Sequence, residues 1–216
     1  MKSSPALRWG ILGTGMIAGR FATDLPRSRT GRLTAVASRS ADSAIAFASR
    51  HGGQAVTGYD ALLARTDVDA VYISLPNTLH HEWTLAALDA GKHVLCEKPM
   101  ALSESEAREM FAKAEGTNRI LIEAFMYRAH PQTALIHETI ARGAIGEIRL
   151  IRTNFTFKRD ASRDDARYQP GPGGGSLMDV GCYCVDFTRS LLGAEPERVE
   201  CLTHRHEFGV DDYAAG

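Results

Sequence analysis

The sequence predicts an α/β fold: a doubly wound parallel sheet of the Rossmann type first, then an incomplete α+β segment with an antiparallel, open-faced sheet. Three observations carry this. Short apolar runs alternate with helix-type patterns from Leu7 to about Ala124. The first run leads straight into Gly13-Thr14-Gly15-Met16-Ile17-Ala18. After Ala124 the alternation stops, and helical segments are separated by longer polar and strand-like stretches. Alternating β and α units close into a parallel sheet with right-handed crossovers. The later segment reads as antiparallel.

Leu7–Leu12, with Trp9 and Ile11, reads as a buried parallel strand. Gly13 makes the tight turn out of it. Gly15 has no Cβ, so its backbone can approach a pyrophosphate, and Ala18 is the small residue where a helix packs near the strand. Thr14, Met16 and Ile17 complete that turn. A helix over 16–25 then aims free N–H groups and its dipole at the phosphates, and Pro26 ends it. A glycine-rich turn that binds nothing has similar letters; the strand before and the helix after favour a nucleotide.

The second strand, 33–38, ends in Ser38-Arg39-Ser40. A carboxylate here would bond a ribose 2′-hydroxyl and repel a 2′-phosphate. Hydroxyls and a guanidinium suit a phosphate dianion, and the guanidinium can stack on adenine. The cofactor reading is therefore NADP(H) rather than NAD(H), against the ordinary alternative of a solvated arginine.

Further strands are expected at 54–57, 69–75, 92–96 and 119–124, and helices at 41–51, 59–65, 78–90 and 103–116. Ser103 and Glu106 form a capping-box pattern. The apolar run Asp69–Leu75 delivers Pro76-Asn77 to the ligand edge of the sheet. Gly91 closes a helix, and the strand after it runs into Glu97-Lys98-Pro99. A lysine at that edge can hydrogen-bond a substrate hydroxyl and stabilise its alkoxide as hydride leaves. Pro99 is a candidate for a cis bond that would fix the lysine's direction. Lysine and proline are also common in plain surface turns.

Beyond Ala124 the pattern gives a helix over 131–142 that stops at Gly143, a strand over 147–158, and a polar stretch over 159–169. The run Pro170–Gly175 follows, then a helix over 176–192, a strand over 197–204 and another opening at Asp211. The expected domains are 1–125, holding the cofactor, and 126–216, part of a substrate and oligomerisation domain. Two or three strands make a small sheet with open edges, so the chain is expected to be a fragment of a longer protein.

A net charge of −1 gives no basic footprint for nucleic acid. No apolar run approaches a membrane span, and residues 1–10 have no signal-type apolar region. The expectation is a cytoplasmic protein. Cys182 and Cys184 are two apart, which fits neither a zinc knuckle nor Cys-x-x-Cys. Cys96, Cys182, Cys184 and Cys201 read as buried small hydrophobes. His80-His81 has no metal-ligand spacing, and no metal is expected.

Taken together, Gly13–Ala18, Pro76-Asn77-Thr78-Leu79-His80, Ala90–Pro99 and Gly173–Tyr183 resemble the Gfo/Idh/MocA oxidoreductase family. Glu123–Gln132 and Asp179–Tyr183 are similar to one branch of it. That branch holds NADP-dependent D-xylose dehydrogenases, trans-dihydrodiol dehydrogenases and glucose–fructose oxidoreductase. The resemblance implies an enzyme that passes a hydride between NADP(H) and a sugar or cyclic vicinal diol. A non-catalytic NADP-binding sensor, or an inactive remnant, is the alternative. By resemblance, Lys98 matches the catalytic lysine, Asp179 the carboxylate that positions substrate, and Tyr183 the acid/base. A nearby lysine cation would stabilise that tyrosine's phenolate. Leu75, Pro76, Asn77, His80, Glu97 and Arg128 are expected on the cofactor side together with Lys98. Family members continue past residue 216, and the resemblance implies a homo-oligomer built through the completed sheet.

Overall fold

The computed structural model describes residues 5–169 and 173–216. Residues 1–4 of the leader reading and Pro170–Pro172 of the glycine–proline run lie outside them. The chain divides into two compact units, one ending at Ala124 and one spanning Phe125–Gly216.

The first unit is a six-stranded, wholly parallel sheet. Its strands are β1 (Leu7–Leu12), β2 (Gly31–Ser38), β3 (Gln54–Thr57), β4 (Ala70–Ile73), β5 (His93–Cys96) and β6 (Leu121–Glu123). They lie in the order β3-β2-β1-β4-β5-β6. The order reverses between β1 and β4, and this switch point is where open α/β sheets hold ligands. Helices α1 (Met16–Asp24) and α2 (Ala41–His51) cover one face, where Ala18, Ala22 and Phe47 pack on Ile11, Val36 and Tyr72. Helices α3 (Tyr59–Leu63), α4 (His80–Asp89) and α5 (Glu104–Gly116) cover the other. There Leu62, Leu88 and Met110 pack on Leu12, Val71 and Ile73. Strands buried on both faces explain why the sequence shows continuous apolar runs rather than alternation.

The expected elements of this unit all form, with ends shifted by a few residues. Proline ends α1 as a single 3-10 turn over Leu25–Arg27. At α5 the Ser103 hydroxyl accepts from the Glu106 N–H at 3.3 Å, and the Glu106 carboxylate accepts from the Leu102 N–H at 2.9 Å. The reciprocal cap therefore forms, with the acid reaching one residue further back than the usual partner.

The second unit holds α6 (Pro131–Ala141), α7 (Cys182–Leu192) and a two-stranded antiparallel sheet of β7 (Leu202–Arg205) and β8 (Asp211–Ala215). The expected strand over 147–158 does not form. Alternating apolar residues need a ladder partner, and the described residues provide none; Leu150 is 70% exposed. The strand expected over 197–204 pairs with β8 only from Leu202. The cysteine reading also needs correction. Only Cys96 is buried, which pushes its thiol up to about 12. Cys182 and Cys184 are half-buried on α7, and Cys201 is exposed ahead of β7.

Candidate active site

In the first unit the loops after β1, β4 and β5 leave the same sheet edge. Gly13 has φ +106°, and a Cβ there would come within 2.9 Å of Ser74 Oγ. Only glycine fits this conformation beside β4. The Gly13 N–H donates to the Ala37 carbonyl at 3.0 Å, and the Ser74 N–H and hydroxyl both donate to the Leu12 carbonyl at 3.0 Å. The turn is thus fastened to the strand ends on both sides. A Cβ on Gly15 would meet nothing within 4 Å. Gly15 is also the N-cap of α1, with no side-chain cap, and the first turn of the helix carries no acid. Helix termini normally find partners for their first N–H groups. Here no side chain caps them and the space beside Gly15 is open, which suits an anion. Thr14 is half-buried and Met16 exposed beside it, with Ile17 turned partly inward.

The end of β2 narrows the phosphate reading. Ser38 is buried, and its hydroxyl accepts from the Ser40 N–H at 3.3 Å. The Ser40 hydroxyl accepts from the Ser43 N–H at 3.4 Å and caps α2. Each hydroxyl accepts from the local backbone, and Arg39, exposed like Ser40, adds a guanidinium at this strand end. The residues present fit a pyrophosphate at α1 and a further phosphate at Arg39.

At the other side of the switch point, Leu75 is buried and Pro76 exposed, with Asn77 in the 3-10 turn leading into α4. His80, expected to line the nicotinamide end, has no exposed surface. Its Nδ1 lies 2.8 Å from the Pro99 carbonyl and its Nε2 2.8 Å from the Leu75 carbonyl. Its enclosed ring sits between the two loops, the neutral imidazole donating its one N–H to one of the two carbonyls. Burial pushes its pKa down, and the two carbonyls oppose that without overcoming it. Glu97 is engaged likewise. Its carboxylate accepts from the Tyr72 phenol and, at 3.3 Å, from the Lys98 N–H. Tyr72 is itself stacked on Phe21 at 4.3 Å. Lys98 is half-buried, and the Lys98–Pro99 peptide is cis.

In the second unit the two catalytic candidates share one helix. A π turn over Leu177–Gly181 opens into α7. Turns closed by i→i+5 bonds are wider than α turns and recur at functional sites. Asp179 in the π turn and Tyr183 in α7 are four apart and share one face of this helix. The N-terminus of this helix is held by Asp211 at the start of β8, which accepts from the Ser176 hydroxyl and the Leu177 N–H, both at 2.7 Å. Gly175 has φ +95°, and any Cβ there would collide with the Asp211 carboxylate. Asp179 accepts from Arg167 Nε at 2.8 Å.

The Tyr183 ring lies among Phe125, Tyr127 and Phe155, with centroids 5.2, 6.2 and 5.4 Å away. Tyr127 and Arg128 both bind Asp186, one turn beyond Tyr183. The Tyr127 phenol donates to Asp186 Oδ2, as does Arg128 Nε at 2.9 Å, while Arg128 Nη2 donates to Oδ1 at 2.5 Å. Burial and the neighbouring carboxylate push the Tyr127 phenol up to about 12. Arg128, expected on the cofactor, is thus committed to a bidentate pair.

Sequence reasoning missed Tyr72, Arg167, Asp186 and Asp211. Asp186 was within reach, since it follows Tyr183 by three positions on one helix. Asp211 had no local signal, lying 35 residues from Ser176. Among the described residues no three His, Cys, Asp or Glu side chains group as a metal site, and no helix is long and apolar enough to cross a membrane.

Comparison with known proteins agrees with this architecture. Residues 7–125 match the Gfo/Idh/MocA oxidoreductase family with an NAD-binding Rossmann fold, and residues 133–216 match the Gfo/Idh/MocA C-terminal domain. A dTDP-3,4-didehydro-2,6-dideoxy-alpha-D-glucose 3-reductase from Actinomadura kijaniata is 42% identical over 211 residues, covering 97% of this chain and 63% of the relative. A D-xylose 1-dehydrogenase (NADP(+)) from Haloferax volcanii is 41% identical over 212 residues, covering 97% of this chain and 65% of the relative. A 3-ketoreductase from Actinomadura kijaniata, solved in complex with NADP and TDP-benzene, superposes with a TM-score of 0.89 at 40% identity, over 97% of this chain and 65% of that one. The chain thus spans less than two thirds of the length of these relatives. With both of its units matched in order, the chain belongs to the Gfo/Idh/MocA oxidoreductase family.

Proposed function

We propose that this chain is the cofactor-binding domain and part of the substrate domain of an NADP(H)-dependent oxidoreductase. The reaction moves a hydride between the nicotinamide and a carbinol carbon of a sugar or cyclic vicinal diol. The observation that carries this is the start of α1 at the switch point: an uncapped helix N-terminus, without acid, behind a glycine whose missing Cβ leaves open space. Arg39, at a strand end that lacks the carboxylate of an NAD site, supports the 2′-phosphate. Relatives named as acting on D-xylose and on a dTDP-linked ketosugar support a sugar substrate, free or nucleotide-linked. The non-catalytic alternative is not favoured, because these relatives are enzymes.

When bound, the cofactor supplies the carbon that accepts or returns the hydride. In the oxidising direction the residues divide the remaining work. The Lys98 ammonium hydrogen-bonds the reacting hydroxyl and stabilises its oxyanion. Tyr183, acting as the phenolate, takes the hydroxyl proton and becomes the neutral phenol. Asp179 orients the substrate through its neighbouring hydroxyls. The neighbouring phenol of Tyr127 is no rival for the proton, since it donates to Asp186 and is held up at about 12. The whole protein is proposed to form a homo-oligomer through its C-terminal sheet, which light scattering checks.

Fluorescence titration tests the cofactor. NADPH should bind at least about tenfold more tightly than NADH, and Arg39→Asp should remove that preference. Turnover on pentoses, hexoses and a trans-dihydrodiol tests the chemistry. Lys98→Ala and Tyr183→Phe should each lower kcat/KM by about 100-fold or more. Unchanged turnover in both variants overturns the mechanism.

A further inference from the structure

We propose that Arg167 is a positioning residue that sets the direction of the Asp179 carboxylate and makes the 159–169 loop part of substrate recognition. The inference rests on the reading of Asp179 as the substrate-orienting carboxylate and goes beyond it by naming what orients Asp179.

Arg167 is held at both its backbone and its side chain. Its N–H donates to Asp165 Oδ1 at 3.1 Å, and its carbonyl accepts from the Gly175 N–H at 2.9 Å, just ahead of the helix that carries Asp179. Its guanidinium spans two carboxylates, giving Nε to Asp179 at 2.8 Å and Nη1 to Asp165 at 3.2 Å. Both acids are largely buried, with side chains 17% and 11% exposed. Asp165 also receives Arg159 Nε, so an Arg159–Asp165–Arg167–Asp179 chain runs from the loop into the helix. The loop is pinned further on. Tyr168 packs against His206 and Phe208 at the β7–β8 turn, and Arg163 lies over the Phe208 ring at 4.2 Å.

An exposed ion pair between two mobile side chains contributes little. This pair differs because the backbone of Arg167 and one of its acids are fixed before Asp179 is reached. With Nη1 anchored on Asp165, the rigid guanidinium places its Nε–H on one oxygen of Asp179 and sets where that oxygen lies; a lysine ammonium has no such fork to hold both acids at once. A carboxylate that must meet a substrate hydroxyl loses rate steeply when misplaced by an ångström. The loop residues behind Arg167 therefore act on the substrate through Asp179.

The test is a kinetic cycle on the protein with Arg167→Met, Asp179→Asn and the double variant, with Arg167→Lys and Asp165→Asn alongside. Arg167→Met should lower kcat/KM for the sugar by about tenfold to 100-fold while leaving the affinity for NADPH, read by fluorescence, within about twofold. The double variant should be no slower than Asp179→Asn alone. Arg167→Lys should recover only part of the loss. Asp165→Asn, which keeps the cation but loosens it, should slow turnover less than Arg167→Met and serves as the probe if Arg167→Met fails to fold. Full additivity in the cycle, or wild-type kinetics in both Arg167→Met and Asp165→Asn, overturns the proposal. Wild-type turnover in Asp179→Asn itself overturns instead the reading of Asp179, and the proposal falls with it.

Discussion

Tyr127 and Tyr183 are neighbours with the same chemistry and different surroundings, and the surroundings divide their roles. Tyr127 donates to Asp186 and keeps its proton to about pH 12, against an unfolded value near 10. Its contribution is therefore present below about pH 10 and lost as pH rises towards 12. Tyr127→Phe keeps the ring and removes this bond, and should lower stability near neutrality by about 1 kcal/mol. In urea unfolding, the gap between wild type and variant should close between about pH 10 and about pH 12; a constant gap would show that the hydrogen bond is absent. His80 works in the opposite sense. Burial lowers its pKa below the usual value near 6.5, with the Glu97 charge opposing and the Lys98 charge assisting. The unfolded chain takes up the proton first, so stability is complete above about pH 6.5 and falls as pH drops below it. His80→Asn should lower the urea midpoint at neutral pH and flatten its fall below about pH 6.5. An unchanged acid slope in the variant would assign the loss of stability to another group.

At the scale of elements, the helix that carries Asp179 and Tyr183 depends on a residue far from it in sequence. Asp211 satisfies the Ser176 hydroxyl and the Leu177 N–H, and its charge meets the positive end of the helix. Asp211→Ala should cost about 1–2 kcal/mol in thermal unfolding, and Asp211→Asn should restore most of it, because the amide oxygen still accepts. If Asn is no better than Ala, the cap is not what holds the helix. This helix also shows what a sequence reveals and what it hides. Its extent was legible from the pattern, whereas its pair of candidates came from the family resemblance, with their spacing of four placing both on one face. The π turn at its start was not legible, since an i→i+5 turn has no distinct apolar period. The strand expected over 147–158 was misread for a related reason: alternation reports a preference for a pleated surface, not the presence of a partner. The cofactor turn was legible because the positive φ of Gly13 and the small Ala18 beside the strand each leave a mark in the local sequence, although the Ser74 side of the Gly13 constraint comes from β4. The bond from the Ser40 N–H to the Ser38 hydroxyl was not legible, because a hydroxyl's letter does not say which amide it will accept from.

At the scale of the molecule, burial is unevenly shared, and the protein's local stability should follow it. The first unit has two continuous clusters, one on each sheet face, with Ile11, Leu12, Val36, Val71 and Ile73 fully enclosed. In the second unit only Phe125 and Val210 are buried among its described hydrophobic residues, while Leu135, Ile145, Leu150 and Val199 remain largely exposed. Segments with few buried contacts and no backbone ladder open at little free-energy cost. In hydrogen exchange, amides of β1, β2 and β4 should be the slowest in the chain, exchanging only through unfolding of the first unit. Amides of residues 148–158 should exchange within seconds. NADPH supplied at about 100 times its Kd should stabilise the protein by about 2.7 kcal/mol if it binds only the folded first unit. That gain should appear as slower exchange in β1, in the Gly13–Ile17 turn and at the end of β2, where the cradle and Arg39 lie. Slow exchange over 148–158 without ligand would show that this stretch is paired. Ligand protection that spared the Gly13–Ile17 turn would place the nucleotide elsewhere on the protein.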